Sequence, residues 1–286
     1  MILLENSSST KTTRNTGKGK QDLFEETINY ALTKDNFGFN SVEEAKSKSA
    51  WDTAKMNKDL AVMFSVEGSE LSNSEATYYE SRTMKIETKQ ARKGLKAKHH
   101  LDMHSHAALK SFSNSGYTRV IEFTRDGKIK TEYQNGKIVG QKLSEFIVGM
   151  MQEPVIGGDP MTTIAELVYK DYNSFEHNAH VLIPDFDLGI YEGIYDVRFN
   201  IIESDPANIK MSAYTLDGNA VDNLQISDFV MKNTTGDKQI IDAMSFSEEE
   251  QAYVLTGAFM PGTIETNGVI VQSNIMYEGA RIDLNL

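Results

Sequence analysis

The chain of 286 residues contains no cysteine, only five prolines and a single tryptophan. Without cysteine it can have no disulfide, no thiolate nucleophile and no cysteine-ligated zinc. It also lacks any apolar run near the roughly 18 residues that a membrane-spanning helix needs. The opening MILLENSSS has too short an apolar stretch and no basic leader for a secretory signal, so we expect synthesis in a cytoplasm.

Patterns that carry enzyme chemistry are also absent. The chain has no phosphate-binding glycine-rich loop, no G-x-S-x-G elbow and no G-x-G-x-x-G fingerprint. Acidic residues occur in short groups, at Asp185 and Asp187 and at Glu248 to Glu250, but acids in such runs are typical of turns and solvated loops. The sequence therefore predicts no enzyme, with no catalytic residue, no cofactor-binding residue and no cofactor.

The histidines are the feature that most suggests a metal site. They form two groups, His99, His100, His104 and His106 in one, and His177 and His180 in the other. If the first group were helical, His100 and His104 would share a face at the spacing that zinc proteases use, but Leu101 stands where those enzymes carry their general base. The alternation over residues 95–103 instead favours a strand, which would hold His100 and His104 about 13 Å apart.

A helix that begins just after this strand, capped by Ser105, would separate the histidines further. We therefore predict no metal-ligating residue. The segment is interpreted as a strand-to-helix junction whose even-numbered polar residues face solvent or a neighbouring subunit. Its histidines are then contact or pH-sensitive residues.

The net charge of −12 is unevenly distributed. Residues 1–110 carry 17 basic and 15 acidic side chains, whereas residues 111–286 carry 12 basic and 26 acidic ones. Between residues 82 and 98, seven basic side chains stand against the single acid Glu87. Because no aromatic stacking platform is interleaved with them, these charges favour a solvated face or an acidic protein partner over nucleic acid. Oppositely charged patches on copies of one chain can attract head to tail.

The N-terminal part is interpreted as a flexible arm followed by helices. Residues 1–20 are polar, rich in Gly, Ser and Thr and without a period, which predicts a flexible arm. Apolar residues at helical spacing predict an amphipathic helix over residues 21–34, behind a cap at Asp22. Ser41, three residues before Glu44, is a capping-box signal for a second helix that runs toward Gly68. Trp51 is expected to pack this helix onto the rest of the protein.

The pattern changes to strands from Tyr117. TRVIEFTRDGKIKTEYQNGKIVG alternates and is interrupted by Asp126-Gly127 and Asn135-Gly136, two dipeptides suited to two-residue hairpin turns with positive φ. A three-stranded antiparallel β-meander is predicted. KLSEFIVGMMQ and PMTTIAELVYKDYN then favour helices on either side of the breaker-rich EPVIGGDP, which is the candidate domain boundary.

From Ala179 to the C-terminus, short strands recur between turn signals such as LDGNA, NTTGD and TNG, as expected of an antiparallel β-sandwich-like domain. Tyr191, Tyr195 and Phe199 would share one strand face there, as core or interface. The predicted fold class is therefore α+β, with an N-terminal arm and helices, a central antiparallel β-meander and a C-terminal antiparallel β-sandwich-like domain.

The predicted domains follow this division. They are a flexible arm over residues 1–20, a helical region with a basic strand and the β-meander over residues 21–157, and a short helix followed by a β-rich domain over residues 158–286.

The stretch MKIETKQARKGLKAKHHLDMHSHAALKSF, residues 84–112, resembles a segment of the major capsid proteins of T-even-type tailed phages. Those proteins share a basic strand with an Arg-Lys-Leu-Lys-Ala core, then a helix that begins near an Ala/Leu-Lys pair. The corresponding residues here are Arg92, Lys93, Leu95, Lys96, Ala97 and Lys98, then Leu101, Met103, Ala108, Leu109 and Lys110. Gly94 interrupts the match, and this chain turns to strands at Tyr117 where the family continues with a long helix.

The resemblance implies a structural component of a tailed-phage virion, in the capsid, neck or tail, which acts by self-association and subunit contacts without catalysis. Its partners would be copies of itself and other virion proteins, with no membrane, and with nucleic acid as a lesser alternative. It would be located in the virion, and in the host cytoplasm before assembly. Two alternatives stay open: a β-sandwich binding module that recognises glycan or protein, and a metal-dependent enzyme that uses the histidines.

Overall fold

The computed structural model describes residues 23–89, 91–154, 156, 158, 160–272, 275–279 and 281–286. The flexible arm predicted over residues 1–20 and the cap predicted at Asp22 lie outside these residues. The predicted α+β class is confirmed, and the fold is mainly β. The chain divides into two compact units, the first ending at Glu192 and the second running from Gly193 to Leu286.

The first unit contains strands and four short helices among its described residues. The strands are β1 (Thr27–Lys34), β2 (Leu60–Val62), β3 (Gly68–Leu71), β4 (Thr77–Glu80), β5 (Lys85–Lys89), β6 (Gly94–His99), β7 (Tyr117–Thr124), β8 (Ile129–Gln134), β9 (Lys137–Val139), β10 (Gln141–Val148), β11 (Thr163–Tyr169) and β12 (Ala179–Leu182). The helices are α1 (Val42–Lys46), α2 (Lys48–Met56), α3 (Met103–Ser111) and α4 (Tyr172–Asn178).

Ten of these strands form one curved sheet, a half-barrel with the order β12-β8-β7-β10-β11-β6-β3. The central strand is β7, and β1 pairs with one of its edges along nearly its whole length. The other edge is shared, because β8 pairs with the C-terminal end of β7 and β10 with its middle. The sheet therefore branches at β7, with β2 added beside β1 and β9 beside β8.

Apolar cores cover both faces of the β1–β7 pair. One face carries Ala31 and Ile121, which pack with Trp51 in the first core. The other carries Leu32 and Val120, which belong to the second core beneath β6, β10 and β11. The expected packing role of Trp51 is confirmed, since its ring is fully buried against four aromatic rings and its indole N–H donates to the Ala45 carbonyl at 2.8 Å.

The helix predicted over residues 21–34 is wrong, because residues 27–34 form β1. Five consecutive residues, 29–33, are buried, as required of a strand that has a core on each face. Such a strand shows no alternation, so its run of apolar residues also fits a helical template. Pairing with β2 and β7 on its two edges decides for the strand.

The second predicted helix is confirmed only in its first half. The Ser41 hydroxyl accepts from the Glu44 amide at 3.1 Å, and the Glu44 carboxylate accepts from the Asn40 amide at 2.8 Å, which caps α1. Helix α2 then ends at Met56, and Lys58 adopts a positive φ of 56°. The chain that was expected to continue as helix toward Gly68 instead returns to the sheet as β2.

The three-stranded meander is confirmed as β7, β8 and β9. Asn135 and Gly136 have φ values of 52° and 79° and form the predicted two-residue turn between β8 and β9. The first turn differs, because only Gly127 has a positive φ, 73°, and residues 125–128 all lie between the two strands. Strands β7 and β8 lie within the core of the sheet.

The two helices predicted from KLSEFIVGMMQ and PMTTIAELVYKDYN are also wrong, since these stretches form β10 and β11. A bulge between Leu143 and Glu145 places Leu143, Phe146 and Val148 on the buried side of β10. A bulge changes a spacing of two into a spacing of three, and i, i+3 spacing of apolar residues is the signal of a helix.

The sequence places a domain boundary at residues 157–158, between β10 and β11, whereas the compact units meet at Glu192. Strands β10 and β11 pair antiparallel, from Leu143 opposite Tyr169 to Val148 opposite Ala165. In the sequence, the breaker-rich stretch EPVIGGDP therefore falls between two neighbouring strands of one sheet. A long polar loop inside a domain and a linker between domains share the same composition.

The second unit contains the predicted β-sandwich, which begins at Ile194 and not at Ala179, because Ala179–Leu182 forms β12 and pairs with β8 in the first unit. Its elements are β13 (Ile194–Ser204), β14 (Asn208–Thr215), a 3₁₀ turn (Ile226–Asp228), β15 (Phe229–Asn233), β16 (Lys238–Gln239), β17 (Ile241–Ser247), β18 (Ala252–Gly257), β19 (Gly262–Thr266), β20 (Ile270–Gln272), β21 (Ile275–Gly279) and β22 (Ile282–Leu284). A six-stranded sheet, β17-β18-β14-β13-β21-β20, and a four-stranded sheet, β16-β15-β19-β22, share one apolar core. The described pairs are antiparallel except β13 with β21.

Substitution of the central aromatic residue tests the core of the first unit. We expect Trp51→Ala to lower the free energy of unfolding by about 3–5 kcal/mol, because it leaves a cavity between Phe39 and Phe123. Met56→Ala on the same helix should change it by no more than about 1 kcal/mol, since Met56 is partly exposed. Urea denaturation followed by circular dichroism measures both, and equal losses would contradict this packing.

Candidate functional site

The histidine segment is a strand-to-helix junction, as the sequence predicts. Strand β6 ends at His99 and α3 begins at Met103. The predicted cap at Ser105 is wrong: Asp102 caps the helix, and its carboxylate accepts from the Ser105 amide at 2.7 Å. Aspartate at this position also complements the positive end of the helix dipole. The even-numbered side chains Lys96 and Lys98 point to the outer side of the sheet, as expected from the alternation.

His99 is fully buried and both of its ring nitrogens have protein partners. Nδ1 lies 2.8 Å from the Ser65 carbonyl, so it carries the proton and donates. Nε2 lies 3.2 Å from the Tyr30 hydroxyl and accepts from it. Burial lowers the pKa of the His99 imidazole below its ordinary value of 6.5. The ring is therefore a neutral, hydrogen-bonded part of the second core.

The remaining histidines do not converge. The Nδ1 atoms of His100 and His106 lie 3.3 Å and 2.9 Å from the hydroxyls of Thr162 and Thr163, which ties the junction to β11. His180 lies on β12, with β8, β7, β10 and β11 between it and β6 in the sheet order. Within the described ranges, no three His, Asp or Glu side chains are close enough to hold a metal ion.

Two buried charges of the first unit each have three hydrogen-bond partners. The Glu122 carboxylate accepts from the hydroxyls of Thr27 and Tyr169, each at 2.6 Å, and from Lys130 Nζ at 2.9 Å. The Arg119 guanidinium donates to Asp35, to the Gly140 carbonyl and to Gln134, at 3.0 to 3.1 Å. These groups join β7 to β1, β8 and β11, which gives them a structural role.

The acidic residues singled out in the sequence include members that lie in turns. Asp187 accepts from the Gly189 amide at 2.8 Å, as a turn residue does, and Glu248 to Glu250 form the turn between β17 and β18.

The expectation that Tyr191, Tyr195 and Phe199 share a strand face is wrong for Tyr191. Its ring packs on Trp51 in the first unit, whereas Phe199 lies in the core of the second.

The basic segment builds an element that the sequence did not predict, a long antiparallel hairpin from Gly68 to His99. Its base is β3 paired with β6, and β6 pairs in turn with β11. Ser74 and Arg92 continue the ladder with two backbone hydrogen bonds, of 2.8 and 2.9 Å. Beyond them β4 pairs with β5 alone, as a separate two-stranded sheet.

We call β4, β5 and the turn at residues 81–84 the distal hairpin. The stretch that leads from Ser74 through β4 to Glu80 is about 20 Å long, at about 3.3 Å per residue. Tyr79 lies opposite Ile86, and Met84 lies two residues before Ile86, so the three side chains share one face. They are 58%, 50% and 51% exposed. The first unit therefore carries a projecting strand pair with an uncovered apolar face.

The other face of the distal hairpin is charged. Lys85 lies opposite Glu80, and its ammonium group sits 4.8 Å from the centre of the Tyr78 ring. Arg82 and Thr83 are exposed at the tip. At the base of the hairpin, a shallow groove of about 380 Å³ runs over the outer side of the sheet between Lys96, Lys98 and Thr162. Both signs of charge line this groove, since Glu70 lies beside Lys96.

No family model matches this chain, and no curated protein shows significant similarity to it. Among the described residues, no helix has the length and apolar character to cross a membrane.

The distal hairpin was missed because its strands are four and five residues long and polar residues flank its apolar ones. The strand-favouring tyrosines in TYYE and the short alternation in MKIETK are the signals that could have indicated it.

The burial of His99 predicts a pH dependence of stability. A histidine whose folded pKa is depressed contributes stability above its unfolded pKa, and that contribution is lost as the pH falls through 6.5 toward the folded pKa. We expect the free energy of unfolding to decrease below pH 6.5 and His99→Gln to flatten this decrease. His180 shifts in the same direction, so part of the slope should remain.

His104→Gln provides the matched control, because His104 is exposed on α3. Urea denaturation at several pH values between 5 and 8 measures all three proteins. The same slope in His99→Gln as in the unsubstituted protein would contradict a neutral, buried His99.

Proposed function

We propose that this protein is a structural component of a tailed-phage virion, in the capsid, neck or tail, and that it works by self-association and subunit contacts without catalysis. Its partners are copies of itself and other virion proteins. Its location is the virion, and the host cytoplasm before assembly. The proposal joins the resemblance of residues 84–112 to phage capsid proteins with the form of the same segment in the fold.

The distal hairpin is the observation that carries the proposal. A two-stranded hairpin by itself is at best marginally stable in water. This one also exposes Tyr79, Met84 and Ile86 on one face and leaves the outer edges of β4 and β5 without a neighbouring strand among the described residues. Apolar surface and open strand edges are features that a subunit contact covers.

The two alternatives have less support. A β-sandwich that recognises glycan or protein fits the architecture of the second unit, but sandwiches serve many functions and the fold alone selects none of them. A histidine-dependent enzyme would need ligands or bases that converge. His99 is engaged by Ser65 and Tyr30, and the other described histidines are distributed over the junction, α3, α4 and β12 without forming a group of three ligands.

Deletion of the distal hairpin tests the proposal. Residues 75–91 are replaced by Asn-Gly, which can close a two-residue turn on the hydrogen-bonded pair Ser74 and Arg92 without disturbing β3 or β6. Burial of an apolar side chain is worth about 1.5–3 kcal/mol. We therefore expect assemblies of the full-length protein to require about a hundredfold higher concentration after the deletion, as measured by sedimentation velocity.

A matched pair of variants distinguishes a specific contact of the distal hairpin from nonspecific hydrophobic association. Tyr79→Ser with Ile86→Ser should weaken assembly, whereas Ile183→Ser with Ile190→Ser, which removes two exposed apolar side chains elsewhere, should not. Thermal melting should be unchanged in the deletion variant, because the distal hairpin belongs to neither core. A full-length protein that stays monomeric at every concentration and never joins a particle would refute the proposed function.

A further inference from the structure

The partner of the distal hairpin can be sought among the open strand edges of the protein itself. In the second unit the terminal strands are β17 and β20 in one sheet and β16 and β22 in the other. Three of these are two or three residues long, but β17 has seven residues. Short edge strands resist pairing with other chains, and a long one invites it.

Strand β17 carries little of the usual protection of an edge apart from a register shift between Ile241 and Ala243 and the exposed Asp242. Its sequence IDAMSFS contains no proline and no lysine. Its inner side chains, Met244 and Phe246, pack on the sandwich core, while Ala243 and Ser245 face outward and are small. Within the described residues its backbone forms hydrogen bonds with β18 and with no other strand.

The charges of the two elements are complementary. Residues 193–286 carry 14 acidic and 5 basic side chains, whereas residues 82–98 carry seven basic side chains and one acidic one. Acids stand at both ends of β17, with Asp242 near its start and the exposed Glu248 and Glu249 in the turn after it. Opposite charges of this kind steer association and set its register.

We propose that the distal hairpin docks on the open edge of β17 in a second copy of the chain, so that β5 adds to the six-stranded sheet of the neighbouring sandwich. Backbone hydrogen bonds along β5 and β17 would supply affinity, as in other strand additions. Lys85 and Arg82 would face the acidic turn at Glu248 and Glu249. This inference rests on the proposed self-association and names the surfaces that make it.

Charge favours β5 over the opposite edge of the hairpin. The outer edge formed by β3 and β4 carries Glu70, Glu75 and Glu80, so it would meet the acidic β17 edge with like charge. The same repulsion disfavours a symmetric pairing of two β4 edges across a twofold axis. Because a hairpin on one copy would fill an edge on the next, the contact is head to tail and can build a ring or a filament.

Cross-linking locates the contact directly, and the absence of native cysteine makes it unambiguous. Full-length Lys85→Cys and Ser245→Cys proteins are mixed and treated with a short bis-maleimide. We expect a covalent dimer that contains one of each. Lys85→Cys mixed with Asp283→Cys is the control, because Asp283 is exposed on β22 in the other sheet and should give no such product.

Charge reversal tests the same contact in solution. Arg82→Glu with Lys85→Glu, and separately Glu248→Lys with Glu249→Lys, should each weaken assembly about tenfold or more, and a mixture of the two variants should recover it. Asp222→Lys with Asp283→Lys, which changes the same net charge away from β17, should leave assembly largely unchanged.

The outcomes distinguish this inference from the proposed function. If the protein assembles but Lys85→Cys does not cross-link to Ser245→Cys and the mixed variants show no recovery, the β17 contact is wrong while self-association stands. If no assembly occurs at all, the proposed function itself fails. Binding of single-stranded DNA by the hairpin that is unaffected by the Glu248 and Glu249 changes, without cross-linking, would assign the basic charges to nucleic acid instead.

Discussion

The pairing of β1 with β7 is the interaction on which the first unit depends. The two strands lie side by side over nearly their whole length, and each has an apolar core on both faces. A strand pair buried on both sides excludes water from its backbone hydrogen bonds and joins the two cores into one cooperative structure. The branch of the sheet follows from this pair, because β8 and β10 must share the single edge of β7 that β1 leaves open.

That central burial also explains where the polar groups and the exposed surface lie. Glu122 and Arg119, which lie within the sheet, each bind three partners and connect neighbouring strands. His99 is neutral for the same reason. Tyr79, Met84 and Ile86 belong to neither core and lie exposed on one face of the distal hairpin. Among the described residues, no three His, Asp or Glu side chains lie close enough to hold a metal ion, and the exposed apolar face of the distal hairpin is the surface on which the proposed function rests.

The accuracy of the prediction for each element depended on whether its pattern reflects local signals or contacts with neighbouring strands. The meander and the sandwich were recoverable, because their alternation and their turn residues, such as Asn135 and Gly136, are local signals. Strands β1 and β10 were assigned to helices, one because it is buried on both faces and the other because a bulge at Leu143 alters its spacing. The junction at His99 was recognised from alternation alone, but its cap at Asp102 was not. The distal hairpin was missed entirely.

By itself, the sequence determined the α+β class, the Asn135-Gly136 turn of the meander, the sandwich and the segregation of charge, since each depends on residue type and spacing within a short stretch. The tertiary structure alone decided that β1 is a strand, that His99 is a neutral core residue and that the basic segment projects from the sheet. These three depend on contacts between residues far apart in the chain: β1 with β7, His99 with Tyr30, and β6 with β11. No local pattern encodes them, because burial on a second face and the partner of a strand edge are properties of the assembled sheet.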